Sequence, residues 1–307
     1  MKTTLTKIFL IFFPLFFLTG CSGNDSIDNS NLTTYDLSIP GVKKDYKFLF
    51  LTDTHVINES SDSDEQTKNY EKERLAVFQN QENAFAPISL MKWSEYANKE
   101  NFDALLLGGD IIDSPSVSNI DYLNSSLASF DTPYLYTLGN HDWTYPWEYM
   151  TEEGKNKYLP AFLPSMDNNT AFHCMELEDL ILVAIDNSSN QINPEALAPY
   201  REILSKGKPV IVLLHVPLYT ESLLAKTKEA WGNPVVLSGG IHGGIYPDSV
   251  STEFINLTLS KDSPVAAVIA GHVHLDDRSV ILGEKEIPQI TGDAGYKGKG
   301  TIIRITG

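Results

Sequence analysis

From Tyr46 onward the chain alternates short apolar runs with longer polar stretches. The runs are "FLFLT" at 48–52, "ALLLGG" at 104–109, "PYLYTLG" at 133–139, "LILVAID" at 180–186, "PVIVLLH" at 209–215 and "VAAVIAG" at 265–271. Each is apolar at nearly every position, so each reads as a strand covered on both faces. The polar stretches between them are compatible with helix and predict helices within 66–100, 117–129, 194–205 and 250–260. Strands alternating with helices predict an α/β fold. The last stretch, from "SVILG" through "IPQITGDAGYKGKGTIIRITG", predicts strands joined by glycine turns. Neither an internal repeat nor a second linker interrupts it, so residues 44–307 are expected to form one domain.

The first residues follow a different pattern. Lys2 and Lys7 precede the apolar run Ile8 to Leu18, and Thr19 and Gly20 lead to Cys21. Eleven apolar residues interrupted by Pro14 fall short of the roughly 20 that a spanning helix needs, so residues 1–20 read as a secretory leader. Leu18-Thr19-Gly20-Cys21 resembles a bacterial lipoprotein box, which implies cleavage before Cys21, acylation of that cysteine and an extracytoplasmic, membrane-anchored protein. Residues 21–43 are rich in Ser, Asn, Asp and Thr and are expected to form a flexible tether. About 20 such residues reach ~25 Å.

One other cysteine exists, Cys174, so no disulfide can form after lipidation, and "AFHCMELEDLILVAID" places it as a small core residue near a strand. The 307 residues carry a formal charge of −17; loss of Lys2 and Lys7 leaves 21 basic residues against 40 acidic, or −19. Without a basic stripe, a nucleic-acid partner is disfavoured.

The strand ends carry the candidate chemistry. "FLFLTDTH" closes on Asp53 and His55, "ALLLGGD" on Asp110, "YLYTLGNHD" on Asn140, His141 and Asp142, "VIVLLH" on His215 and "VIAGHVH" on His272 and His274. Five of the seven histidines occupy these ends, which is where open α/β sheets place their ligands. Taken alone, His272 and His274 stand at i and i+2, and a continuing strand would point both the same way, toward one shared ion.

This ordered set of Asp-x-His, Gly-Asp, Gly-Asn-His-Asp, a lone His after a strand and Gly-His-x-His resembles the calcineurin-like metallophosphoesterases. The resemblance implies a four-layer α/β/β/α sandwich of two mixed sheets flanked by helices, with a dinuclear metal site at the carboxyl ends of the strands. It implies that Asp53, His55 and His274 hold the first metal, that Asn140, His215 and His272 hold the second, and that Asp110 bridges them. Oxygen and imidazole donors suit Mn, Fe or Zn. Two ions about 3.5–4 Å apart would stabilise both oxygens of an in-line displacement, so the implied activity is hydrolysis of a phosphate ester through a metal-bridging hydroxide. His141 would lie over the phosphoryl group, stabilising the transition state or protonating the leaving oxygen. Asp142 either orients His141 or is a turn residue. Asp113 either supports the site from behind or faces solvent.

Two loops are expected to flank the site. Trp143, Tyr145, Trp147 and Tyr149 either stack on a substrate or, as aromatics more often do, pack their loop onto the domain. The glycine-rich 219–250 stretch is a candidate lid with His242 in it, and Tyr296 is a weaker candidate for approaching the site. The expected partner is a small phosphorylated substrate. A binding or scaffolding lipoprotein with the same fold is the runner-up, and an intact ligand set speaks against it.

Overall fold

The computed structural model describes residues 27–58, 65–78, 89–144, 150–233, 235–240 and 243–307. The strands are β1 (Leu32–Ser38), β2 (Tyr46–Leu51), β3 (Ala104–Leu107), β4 (Tyr134–Tyr136), β5 (Phe172–Glu176), β6 (Ile181–Ile185), β7 (Val210–Leu213), β8 (Val265–Ala270), β9 (Asp277–Leu282), β10 (Glu286–Thr291) and β11 (Gly300–Thr306). The helices are α1 (Glu65–Phe78), α2 (Leu90–Lys99), α3 (Val117–Ala128), α4 (Asn140–Trp143), α5 (Glu152–Tyr158), α6 (Leu197–Ser205), α7 (Glu221–Trp231) and α8 (Ser249–Leu259). One sheet has the order β1-β11-β2-β3-β4 and the other β5-β6-β7-β8-β10-β9, each with parallel and antiparallel pairs.

Because side chains alternate along a strand, an unbroken apolar run feeds two cores at once. In β2, Phe48 and Phe50 face the second sheet, while Leu49 and Leu51 face Trp93 and Ala97 of α2 and Leu123 and Leu127 of α3. In β7, Ile211 and Leu213 enter the inter-sheet core, while Val210 and Val212 meet Tyr200 of α6 and Phe254 of α8. The result is the expected four layers. Polar caps start the helices: Ser89 accepts from the Lys92 N–H, Ser116 from Asn119 and Asp248 from Ser251.

Three expectations are corrected. Residues 32–38, expected within the tether, form β1, paired with β11 from Leu32 opposite Gly300 to Ser38 opposite Thr306. Its "LTTYDLS" sequence is polar because an edge strand buries little, here chiefly Leu37. The tether therefore ends before this strand, and the domain begins earlier than residue 44. Cys174 lies in β5 but is exposed, since this edge strand is covered on one face only. The 219–250 stretch contains the helix α7. Residues 1–26, including Cys21, lie outside the described residues, as do Tyr145, Trp147, Tyr149 and His242.

Candidate metal centre

The predicted donors follow the carboxyl ends of β2, β3, β4, β7 and β8, where the two sheets meet. Strand backbone alone would not gather them. Of ten non-glycine residues with positive φ among the described residues, five are predicted ligands: Asp53 (53°), His55 (44°), Asp110 (52°), His272 (70°) and His274 (53°). Left-handed backbone is unfavourable for such residues, so its concentration here marks strain held by the surrounding structure. Two glycines make the approach feasible. A Cβ at Gly139 would stand 2.2 Å from Asp110 Oδ1, and one at Gly271 would stand 1.8 Å from Thr52 Oγ1.

All seven predicted ligands converge. His274 Nε2 lies 3.1 Å from His55 Nε2 and 3.2 Å from Asp53 Oδ1. On the other side, His215 Nε2 lies 3.1 Å from His272 Nδ1, 3.1 Å from Asn140 Oδ1 and 3.3 Å from Asp110 Oδ2. Asp110 Oδ2 is also 3.8 Å from His55 Nε2, so this carboxylate stands between the two groups. His272 and His274 thus part company, one beside His215 and the other beside His55, because each has left the strand conformation.

The protons are held on the far sides of the rings. His55 Nδ1 lies 2.8 Å from Asp113 Oδ1, and His215 Nδ1 lies 2.7 Å from the Gly108 carbonyl. Each Nδ1–H donates outward, which turns the Nε2 lone pair inward. Two donors each ~2.1 Å from a common ion stand ~3.0 Å apart at a right angle and ~3.4 Å apart at the tetrahedral angle. The donor separations of 3.1 to 3.3 Å fall in that interval. The residues fit two divalent ions, as a set of buried carboxylates, imidazoles and an amide should.

Electrostatics agree with a site built around positive charge. Burial alone would raise Asp53, but the imidazoles of His274 and His215 bring it down to about 2. Asp110 is likewise held well below the usual carboxylate range, against its burial, by His215 and His141. Burial would lower His215, yet the Asp110 carboxylate lifts it to about 9.

Around this centre the structure assigns what the sequence left open. Asp113 is buried, accepts from His55 and receives a bidentate pair from Arg74 of α1, with Nε and Nη2 both at 2.8 Å. His141 Nδ1 lies 3.1 Å from the Asp113 carbonyl oxygen, and its backbone N–H donates to Asp110 Oδ1 at 2.7 Å. Asp142, expected to orient His141 or to serve a turn, is a buried backbone clamp. Its carboxylate accepts from the N–H groups of Asp110, Ile111, Ile112 and Gly139 at 2.7 to 3.1 Å, joining the β3 and β4 loops. Burial and the Asp110 carboxylate push it up to about 7, against the N–H groups that favour its charge.

Asn187 and Arg74 have no counterpart in the sequence reading. Asn187 Oδ1 accepts from the N–H groups of His215 and Val216, and its Nδ2 donates to the Val216 carbonyl, fixing the turn that presents His215. An asparagine just past an apolar run was the available clue. Arg74 gave none, because it arrives from a helix remote in sequence. Trp143 is buried with its Nε1 on Ser188 Oγ at 2.8 Å, so it packs its loop onto the domain. Tyr296 does reach the site, its ring 5.3 Å from that of His274 and 6.0 Å from that of His55. Two clefts of about 350 and 530 Å³ lie elsewhere; neither is lined by a predicted site residue, and the donor geometry is the better guide to the chemistry.

Residues 46–276 match the calcineurin-like phosphoesterase family. Among solved structures the chain is similar to a dimetal phosphatase from Danio rerio, with 13% identity, a TM-score of 0.47 and coverage of 82% of this chain and 88% of that one. It is also similar to GAP50, the anchor in the inner membrane complex of Plasmodium, with 17% identity, a TM-score of 0.42 and coverage of 82% and 73%. No curated protein sequence matches it. The family match spans most of the chain and holds every one of the seven donors, and on that ground the chain belongs to the calcineurin-like phosphoesterase family.

Proposed function

We propose that this protein is a metal-dependent phosphomonoesterase or phosphodiesterase, held by a lipid on Cys21 at a membrane outside the cytoplasm. The observation that carries the hydrolase reading is the pair of donor groups, buried but for the half-buried His272, with Asp110 between them. Two divalent ions, Mn, Fe or Zn, held by Asp53, His55, Asp110 and His274 and by Asp110, Asn140, His215 and His272, would supply Lewis acidity at a phosphoryl group. The chain's own residues prepare for that. Asp113 and the Gly108 carbonyl keep protons on the outer nitrogens of His55 and His215. His141 donates Nδ1–H to the Asp113 carbonyl and burial lowers the imidazole to about 4, so the resting ring carries no proton on Nε2. Nε2 would first take a proton from the attacking water and then pass that proton to the departing oxygen. Arg74 neutralises Asp113 behind them.

The test is turnover by purified protein loaded with Mn or Fe on a panel of phosphomonoesters, diesters and nucleotides, with Asp110→Ala as control. Hydrolysis that falls by about a thousandfold in the control is expected, since Asp110 serves both groups. A panel on which nothing is cleaved, or on which the control equals the parent, sinks the reading. The anchor is supported by the Leu18 to Cys21 sequence and is tested separately, by mass spectrometry of the membrane-extracted N-terminal peptide.

A further inference from the structure

The register of the first sheet decides at which end the chain enters the fold. β1 runs parallel to β11, with Leu32 opposite Gly300, and β11 runs antiparallel to β2, with Thr301 opposite Phe50. The start of β1 therefore lies, one strand removed, at the end of the sheet where β2 closes and Asp53 and His55 follow. Side chains secure it there: Asn31 Nδ2 donates to the Gly298 carbonyl at 2.9 Å, and Lys299 Nζ donates to that of Ser30 at 2.6 Å. The adjoining turn, Gly295–Lys297, carries the Tyr296 ring that meets His274. Cys21 lies six residues before Ile27, where the described chain begins. Six residues span at most about 20 Å, whereas a compact body of this length is roughly 50 Å across. An anchor at Cys21 thus keeps the metal end, and not the opposite end, close to the bilayer.

Exposed apolar side chains gather at the same end. Of the five large ones exposed among the described residues, Val117, Trp231 and Tyr246 lie in its loops and helix ends. Val117 opens α3, whose first turn is tied to the loop beyond His55 by Ser118 Oγ on the Asn58 carbonyl at 2.6 Å. Trp231 ends α7 with its ring 5.0 Å from that of His274. The Tyr246 carbonyl accepts from Gln191, beyond the end of β6. Half-exposed aromatic rings suit the head-group region of a bilayer.

We infer that the metal-bearing end docks on the membrane holding Cys21 and takes a phosphate ester displayed on a lipid. This rests on the anchored-hydrolase reading above. It is tested on full-length lipidated protein in phosphatidylcholine vesicles. With brominated acyl chains, tryptophan fluorescence is quenched, and Trp231→Phe loses most of that quenching, a readout that needs no turnover. With Mn, the protein hydrolyses phosphatidic acid in the vesicles at least about tenfold faster than glycerol 3-phosphate in solution, and the double variant Val117→Asp, Tyr246→Asp lowers that ratio by about tenfold. Equal use of the two esters, or quenching unchanged in Trp231→Phe, overturns the inference while leaving the hydrolase reading intact. Quenching that depends on Trp231 without hydrolysis of either ester supports the docking but overturns the assignment of a lipid phosphomonoester as substrate; the hydrolase reading itself falls only if the wider panel of esters is also left uncleaved. An unacylated Cys21 with no vesicle binding overturns the inference.

Discussion

At the scale of single residues, the left-handed backbone at Asp53, His55, Asp110, His272 and His274 is what a period of two could not reveal. The residue types and their order were legible; the direction in which each side chain points was not, because it depends on a conformation that strands do not adopt. Asp113 shows the same limit, since a carboxylate in "GGDIID" reads either as support for the site or as solvent-facing until Arg74 is seen to cover it. If Asp113 orients His55, then Asp113→Asn should weaken metal binding by about 10 to 100-fold while the protein stays folded. Metal titration followed by circular dichroism checks this, and unchanged affinity would reduce Asp113 to a structural partner of Arg74. Asp142→Ala should behave differently. It leaves four backbone N–H groups without their acceptor, so denaturant unfolding should show a loss of about 3–5 kcal/mol. An Asp142→Ala protein of parental stability that has lost only turnover would restore a catalytic role to this carboxylate.

At the scale of elements, central strands and amphipathic helices were legible because burial on two faces or one leaves a strong period, whereas β1 and β5 sit at sheet edges where the demand for apolar residues is weak. β1 nevertheless matters to the core. Leu37 is buried between the sheets, and Tyr35 and Thr33 donate to the Asp276 carboxylate at 2.8 and 2.9 Å, just beyond the last metal motif. Leu37→Ala should therefore cost about 2–4 kcal/mol in chemical unfolding; a tether residue would cost nothing measurable. A second joint lies between α5 and β6, where the buried Lys155 ammonium meets Asp186 at 2.6 Å. Burial alone would raise Asp186, but Lys155, with help from Ser188 and Asn193, holds it below its usual value. A depressed folded pKa stabilises the fold above the unfolded carboxylate value, ~3.9. That contribution is lost as the pH falls through the lower folded value. Lys155→Met should thus be less stable by about 3–5 kcal/mol near neutrality, and the difference from the parent should shrink below about pH 4. A gap independent of pH would mean that Lys155 contributes by packing alone.

At the scale of the whole molecule, each donor group draws on both sheets. Asp53 and His55 follow a strand of the first sheet and His274 one of the second; Asp110 and Asn140 follow the first, and His215 and His272 the second. The order of motifs along the chain made the grouping readable through resemblance, but the fact that it spans the sandwich needed the sheet topology. Hydrogen bonds already cross between the sheets, such as that between His215 Nδ1 and the Gly108 carbonyl and that from Thr137 Oγ1 to the Ile185 carbonyl, and two ions held from both sides would add stronger cross-links. Ions present at about a thousand times their dissociation constants would contribute ~4 kcal/mol at each site, and a large domain shifts its unfolding midpoint by about 2–4 °C per kcal/mol. Removing both ions with a chelator should therefore lower the midpoint by about 15 °C or more, reversibly on adding Mn or Zn. Differential scanning calorimetry across the variants separates the sites. His272→Ala and His274→Ala should each lose roughly half of the metal-dependent shift, because they serve different groups, and Asp110→Ala should lose nearly all of it. If either histidine variant alone abolished the whole shift, the two would be acting on one ion, and the division of His272 from His274 would be wrong.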